Sequence, residues 1–232
     1  MHKSLLSASL IALAIAAPIA NAHEAGDILV RAGAITVNPK ADSGSVKVDR
    51  GPAEGTNLGG KATMSSDTQL GLNFAYMLTN NIGIELLAAT PFEHDVKLKD
   101  TSLAAANGKL GTLKHLPPTL SVVYYPLDSK SVFQPYVGAG INYTWIYDEH
   151  VGSRANAAGF DNFRAKNSWG LAWQVGADYM LTDKLMLNAQ VRYIDINTTA
   201  YVDNNSVAPG TRAKVNVDVD PMVYMVGLGY KF

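Results

Sequence analysis

The amino-acid sequence predicts an all-β protein: an eight-stranded antiparallel transmembrane β-barrel with short periplasmic turns and long extracellular loops. Three observations carry that expectation. Apolar residues recur with period two, and the positions between them hold small or polar residues rather than charges. The connections between the apolar segments alternate short and long. The chain closes on VYMVGLGYKF, where Tyr224, Val226, Leu228, Tyr230 and Phe232 form one large apolar face.

Residues 1–22 stand apart. Met1, His2 and Lys3 make a positive start, LLSASLIALAIAA an apolar run and Ala20-Asn21-Ala22 a small-residue cleavage site, the pattern of a cleaved signal peptide. The run is shorter than the about 20 residues that a spanning helix needs. The expected barrel domain is 23–232. Without Lys3 the chain has 18 basic against 20 acidic residues, a balance that argues against a nucleic-acid partner. Cys is absent, so stability must come from elsewhere than disulfides. No later stretch is long and apolar enough for a spanning helix, which leaves a soluble exported domain or an outer-membrane barrel.

The strands follow in order. The first covers 27–37. In 67–78, Leu70, Leu72, Phe74, Tyr76 and Leu78 face one way and Gln69, Gly71, Asn73, Ala75 and Met77 the other. In 81–91 the apolar set is Ile82, Ile84, Leu86 and Ala88. The strands 116–126, 132–147, 168–181, 185–196 and 213–232 complete the eight. Alternation means strand because successive side chains leave opposite faces. A soluble sandwich would put Lys and Glu on its outer face; here the second face is Gly, Ala, Asn and Gln, as in a barrel with lipid outside. Short gaps follow the second, fourth and sixth strands, which puts both termini on the periplasmic side. A spanning sheet must close without free edges, so the last strand is expected to pair with the first. Trp145, Trp169, Tyr124, Tyr143, Tyr147, Tyr179 and Tyr193 suit interfacial belts. Val215, Val217 and Val219 are odd-numbered whereas the later apolar stripe is even, which predicts a bulge near Asp220-Pro221.

ELLAATPF, HLPPTLSVVYYP, FQPYVGAGINYT, SWGLAWQVGADYML and DVDPMVYMVGLGYKF together resemble the OmpW family of small outer-membrane proteins, from about Ala25 to Phe232. The resemblance implies a barrel whose outer half is apolar inside. It also implies uptake of small hydrophobic molecules that leave sideways into the membrane of a Gram-negative bacterium. Small amino acids are the alternative cargo, and a structural or adhesive barrel without transport the alternative role. The resemblance assigns a lateral exit to Pro91, which has no N–H for the neighbouring strand. It assigns a channel constriction to Leu87; the aromatic partner expected on the seventh strand is replaced by Arg192.

Other positions follow from the predicted inward face. An eight-stranded barrel is barely wide enough for its own side chains, so Gly71, Gly83, Gly138, Gly140, Gly170, Gly176, Gly227 and Gly229 are candidates for making room in the lumen. Their competing use is strand curvature and close packing. Arg31, Glu85, Asp178, Arg192 and Lys231 also point inward, and as buried charges they need partners; they are expected to form a charged floor. His94, His115 and His150 fall in predicted loops without a metal-binding pattern, which places them on the surface. No metal or cofactor is expected. No nucleophile motif such as GxSxG supports the competing reading of a membrane enzyme. The expected partners are outer-membrane lipid, small hydrophobic solutes and, through the strand ending in Phe232, the barrel-assembly machinery.

Overall fold

A computed structural model describes residues 22–232; the expected signal peptide, apart from Ala22, lies outside the described residues. The strands run β1 (Ile28–Asn38), β2 (Asp42–Ser43), β3 (Val46–Arg50), β4 (Asn57–Met64), β5 (Asp67–Met77), β6 (Ile82–Ala89), β7 (Phe92–Thr101) and β8 (Gly108–Leu116). They continue with β9 (Thr119–Tyr124), β10 (Phe133–Val151), β11 (Phe160–Ala165), β12 (Ser168–Met180), β13 (Leu185–Ile194), β14 (Asn197–Asn204), β15 (Thr211–Asp218) and β16 (Met222–Lys231). A short helix, α1 (Ser153–Ala157), lies between β10 and β11.

Eight of these, β1, β5, β6, β9, β10, β12, β13 and β16, form a closed antiparallel barrel. Closure is made by β1 and β16, in register from Leu29↔Lys231 to Asn38↔Met222. The Phe232 N–H donates to the Ile28 carbonyl at 2.9 Å, so the ladder runs to the end of the strand. A closed ladder is what a bilayer demands, since lipid offers no hydrogen bonds to unpaired backbone. Tyr224, Val226, Leu228 and Tyr230 of β16, with Leu70, Phe74, Val122, Val137, Leu171 and Val175 on other strands, are exposed on the outer wall. This is the apolar band that contacts lipid. Rings pair along its rims: Trp145 with Tyr147 and Tyr143 with Trp169 at one end, Tyr230 with Phe232 at the other.

The long connections are not irregular. They are hairpins, β3–β4, β7–β8, β10–β11 and β14–β15, that carry the wall outward. Neighbouring hairpins pair with one another: β4 with β7, β8 with the outer end of β10, β11 with β14, and β15 with β3. Their inward residues are mostly apolar, and Val46, Leu98, Leu110, Phe163, Val202 and Val215 belong to one cluster. Their outward residues are mainly polar and charged, among them Glu93, Lys97, Arg164 and Asn216.

This explains the phase change in the last strands and corrects the expected bulge. Ala213, Val215, Val217, Val219, Pro221, Val223 and Met225 are all buried, so odd-numbered residues face inward without interruption. What changes at Asp220-Pro221 is the surroundings. Beyond the membrane the apolar face points inward, away from water; within it, the apolar face points outward, toward lipid. Asp220 has φ of 36°, a local distortion that leaves the parity intact.

A charge at the middle of the outer wall should therefore be costly. Val226→Arg is expected to destabilise the barrel in vesicles by about 2–4 kcal/mol, read from urea unfolding. Val207→Arg, at an exposed hairpin tip, should leave the midpoint unchanged.

Candidate functional site

The periplasmic half of the lumen is filled by a hydrogen-bonded charge network. Arg31 on β1 donates from Nε and Nη2 to the two carboxylate oxygens of Asp178 on β12, at 3.0 and 2.6 Å. It also reaches Tyr125 Oη at 2.8 Å, Asn73 Oδ1 at 2.9 Å and Glu85 Oε2 at 3.3 Å. Glu85 on β6 accepts at its other oxygen from Arg192 Nη2 at 2.6 Å and Gln174 Nε2 at 2.8 Å. Arg31, Glu85 and Asp178 are wholly inaccessible and Arg192 nearly so. Desolvating four ions is tolerable only because two cations face two anions and side-chain amides supply the remaining bonds. Four of the five residues predicted for the floor thus meet in one cluster. Lys231 lies at the rim instead, with Nζ 3.7 Å from Asp27 Oδ2.

Above this network the lumen becomes apolar. Leu87, two positions beyond Glu85 on the inward face of β6, is buried in the cluster that holds Ile35, Ile194, Val223 and Met225. The inward glycines are closely covered. A Cβ at Gly138 would lie 2.9 Å from Gln174 Cγ, at Gly71 2.9 Å from Ile35 Cβ and at Gly83 3.1 Å from Met77 Sδ. At Gly140 and Gly170 it would run into the Leu120 and Asp195 carbonyls, and at Gly176 into the Tyr136 ring. At these positions glycine serves close packing rather than leaving open space. A shallow concavity of about 620 Å³ lies against the outer wall at Val122, Val137, Trp173 and Val175, on the band that faces lipid.

The ladder of the barrel wall is broken beside Pro91. β6 pairs with β9 as far as Leu87↔Thr119, and the ladder resumes only at Phe92↔His115 between β7 and β8. Ala88 to Pro91 and Leu116 to Pro118 face each other there without a registered pair. Pro91, Pro117 and Pro118 have no N–H to offer, so the break leaves three fewer donors to satisfy than non-proline residues would. On the far side of the Pro117-Pro118 edge, Asn142 Nδ2 donates to the carbonyls of Pro117 and Pro118 at 3.0 and 3.1 Å. Thr144 Oγ1 holds that amide in place through Asn142 Oδ1, at 2.7 Å.

The sequence profile of the OmpW family matches residues 24–232. Outer membrane protein W of Escherichia coli is 42% identical over 230 residues, spanning 99% of this chain and 100% of its own length. The chain belongs to the OmpW family. The crystal structure of OprG from Pseudomonas aeruginosa superposes with a TM-score of 0.85 at 46% identity, over 92% of this chain and 99% of that one. A more distant relative, the dibenzothiophene metabolism operon protein PahQ of P. aeruginosa, is 27% identical over 75% of this chain and 76% of its own length. As an OmpW-family barrel, the protein resides in the outer membrane of a Gram-negative bacterium and contacts its lipid.

Two histidines of this OmpW-family barrel depart from expectation. His94 and His115 are buried, not on the surface, because Phe92, His94, Val96 and Leu98 on β7 all take the inward parity. Their rings stack, with Nε2 atoms 2.8 Å apart, and His115 also stacks on Phe92. They stand on the two strands that resume the ladder beyond the break. Burial holds both imidazoles neutral: His94 falls below the ordinary histidine range, and desolvation, then the proximity of His94, takes His115 down to about 3. His150 stays exposed, with Nδ1 3.0 Å from the Asp148 carbonyl.

Other contributors were hidden in the inward polar set. Asn73, Gln174, Asn188, Tyr125 and Tyr136 complete the charge network, and their only sequence signal is polar or aromatic character at inward parity. His23 Nε2 lies 3.1 Å from Asp178 Oδ2, brought there by the segment before β1, which has no periodic pattern to place it.

Two expectations follow for this site. Glu85→Leu strips Arg192 of its carboxylate and should cost about 3–5 kcal/mol in urea unfolding, whereas Lys61→Met, which breaks an exposed pair with Asp42, should change nothing measurable. A histidine kept neutral by burial takes up its proton only on unfolding, so stability falls as pH drops from about 6.5 to the folded value of about 3 for His115. Amide exchange in β7 and β8 should accelerate across that window, and His115→Phe should flatten the dependence.

Proposed function

We propose that the protein is a passive channel for small hydrophobic molecules, which enter through the apolar outer interior and leave sideways between Ala88–Pro91 and Leu116–Pro118. The observation that carries this reading is the position of the wall break. It opens where the lumen is apolar inside and the wall is apolar outside, directly above buried ion pairs that an apolar solute cannot cross. A molecule moving inward meets Leu87, then Glu85 with its two arginines. Displacing that network would strand buried charges, at several kcal/mol per ion. Moving sideways costs no burial of charge. In this reading Pro91 bounds the exit, Leu87 and its apolar neighbours form the constriction, and Arg31, Glu85, Asp178 and Arg192 form the floor. The kinship with PahQ is consistent with apolar cargo, since its operon is named for metabolism of an aromatic heterocycle.

Pro91→Val returns an N–H to one edge of the break and a β-branched side chain that favours extension. The variant is expected to fold with wild-type stability and to lose most uptake of an apolar solute, measured in cells that carry it as the sole family member. Uptake at the wild-type rate would contradict the lateral route.

A further inference from the structure

The outward face of the hairpins carries an uneven charge. Across β11, β14, β15 and β3, one row of registered neighbours reads Arg164, Tyr201, Lys214 and Lys47. Phe163, Val202, Val215 and Val48, each one position along, are buried, so this row points away from the lumen. Lys214 stands directly opposite Lys47, and Arg212 directly opposite Arg50. Like charges opposed on neighbouring strands are destabilising. Asp49 and Asp203 answer Lys214 and Arg212. Arg164, Lys166 and Lys47 are exposed and make no ion pair with any described residue.

The cations converge on Tyr201. Lys166 Nζ stands 5.6 Å from its ring centroid and Arg212 Cζ 5.8 Å, both within cation–π range. Arg164 is its register partner on β11. These residues and Asp49 border a surface concavity of about 410 Å³. The backbone of Lys166 is pinned on both sides. Its N–H donates to the Thr199 carbonyl at 3.1 Å, and its carbonyl accepts from Thr198 Oγ1 at 2.6 Å.

The height of the concavity narrows its partner. Lys166 precedes Trp169 of the aromatic rim by three residues, a reach of about 10 Å at most. Nearer the rim on β15 the charge reverses, where Asp218 stands opposite Asp42. A phosphate attached directly at the acyl boundary would meet those carboxylates. A phosphate carried on a sugar above the boundary meets the cations.

We infer that this face is a docking surface for the phosphorylated sugar headgroup of lipopolysaccharide in the outer leaflet. Arg164 and Lys166 bind the phosphate, and Lys47 extends the site along β3. The guanidinium fork of Arg164 matches two phosphate oxygens, while Lys166 supplies a point charge. A bound anion also relieves the opposed cations of β15 and β3. The inference concerns the outer face of the hairpins and is independent of the route taken by cargo.

The test uses the full mature chain in detergent micelles doped with lipid A carrying both phosphates, with the same lipid dephosphorylated, or with phosphatidylglycerol. Native mass spectrometry counts the lipid retained. Phosphorylated lipid A is expected to be retained over the other two. Arg164→Gln with Lys166→Gln should weaken its retention by about 5-fold per side chain. Lys97→Gln with Lys99→Gln removes the same charge from exposed, unpaired positions on β7 and should leave retention unchanged. Equal retention of the three lipids, or equal weakening by the two double variants, would overturn the inference. Inositol hexakisphosphate, a polyphosphate without acyl chains, separates the two sources of phosphate. It should displace lipid A only in large excess; displacement at equimolar amounts would assign the face to a soluble polyanion and overturn the lipid claim.

Discussion

Everything in this barrel depends on keeping backbone hydrogen bonds paired across a medium that offers none. Closure of β1 on β16 meets that demand around the ring, and it leaves each strand only two faces to distribute. Within the membrane the outer face must be apolar, so polar and small residues are left for the interior. Beyond the membrane the outer face meets water, and the same parity carries apolar residues inward. The chain makes this exchange without a bulge in β15–β16: Val219, Pro221, Val223 and Met225 stay buried in unbroken alternation. One lumen thus has two chemistries stacked on each other, a charged lower part and an apolar upper part.

The junction of those two parts is where the wall opens. An unpaired stretch is least costly where its donors have been removed and its carbonyls answered from inside. Pro91, Pro117 and Pro118 remove three donors, and Asn142 answers two carbonyls. Just inward, the ion pairs of Arg31, Arg192, Glu85 and Asp178 fill the lumen, and in the proposed route they would bar apolar solutes, because each charge is satisfied only while its partners stay in place. The outer histidine pair is a titratable intrusion above that level, and it is held neutral by the apolar packing around it.

Much of this was legible in the residues. Period-two alternation with small residues opposite large ones located seven of the spanning strands to within a few positions; the eighth, read as 213–232, ran β15 and β16 together. The partners of the floor were readable from parity alone for Arg31, Glu85, Asp178 and Arg192. The outer hairpins were not, since FEHDVKLKD alternates as soluble strands do and reads as a charged loop, while AKVNVDVD was joined to the last spanning strand as one element. That hid the burial of His94 and His115 and turned a change of solvent into an apparent bulge. Lys231 shares inward parity with the floor but sits too near the end of β16 to reach it. The break in the wall needed three-dimensional register: Pro91 was visible, whereas the role of Pro117-Pro118 and Asn142 as its other edge depends on which strands face each other.

The central claim is that cargo passes through the wall between β6 and β9 rather than through the floor. The chain has no cysteine of its own, so Ala89→Cys with Pro117→Cys places a single thiol pair across the break, to be joined by oxidation or by a short thiol crosslinker. The account predicts that joining the two edges abolishes uptake of an apolar solute and that reversing the link restores it, with the barrel folded throughout. Uptake that continues undiminished after complete crosslinking would contradict it.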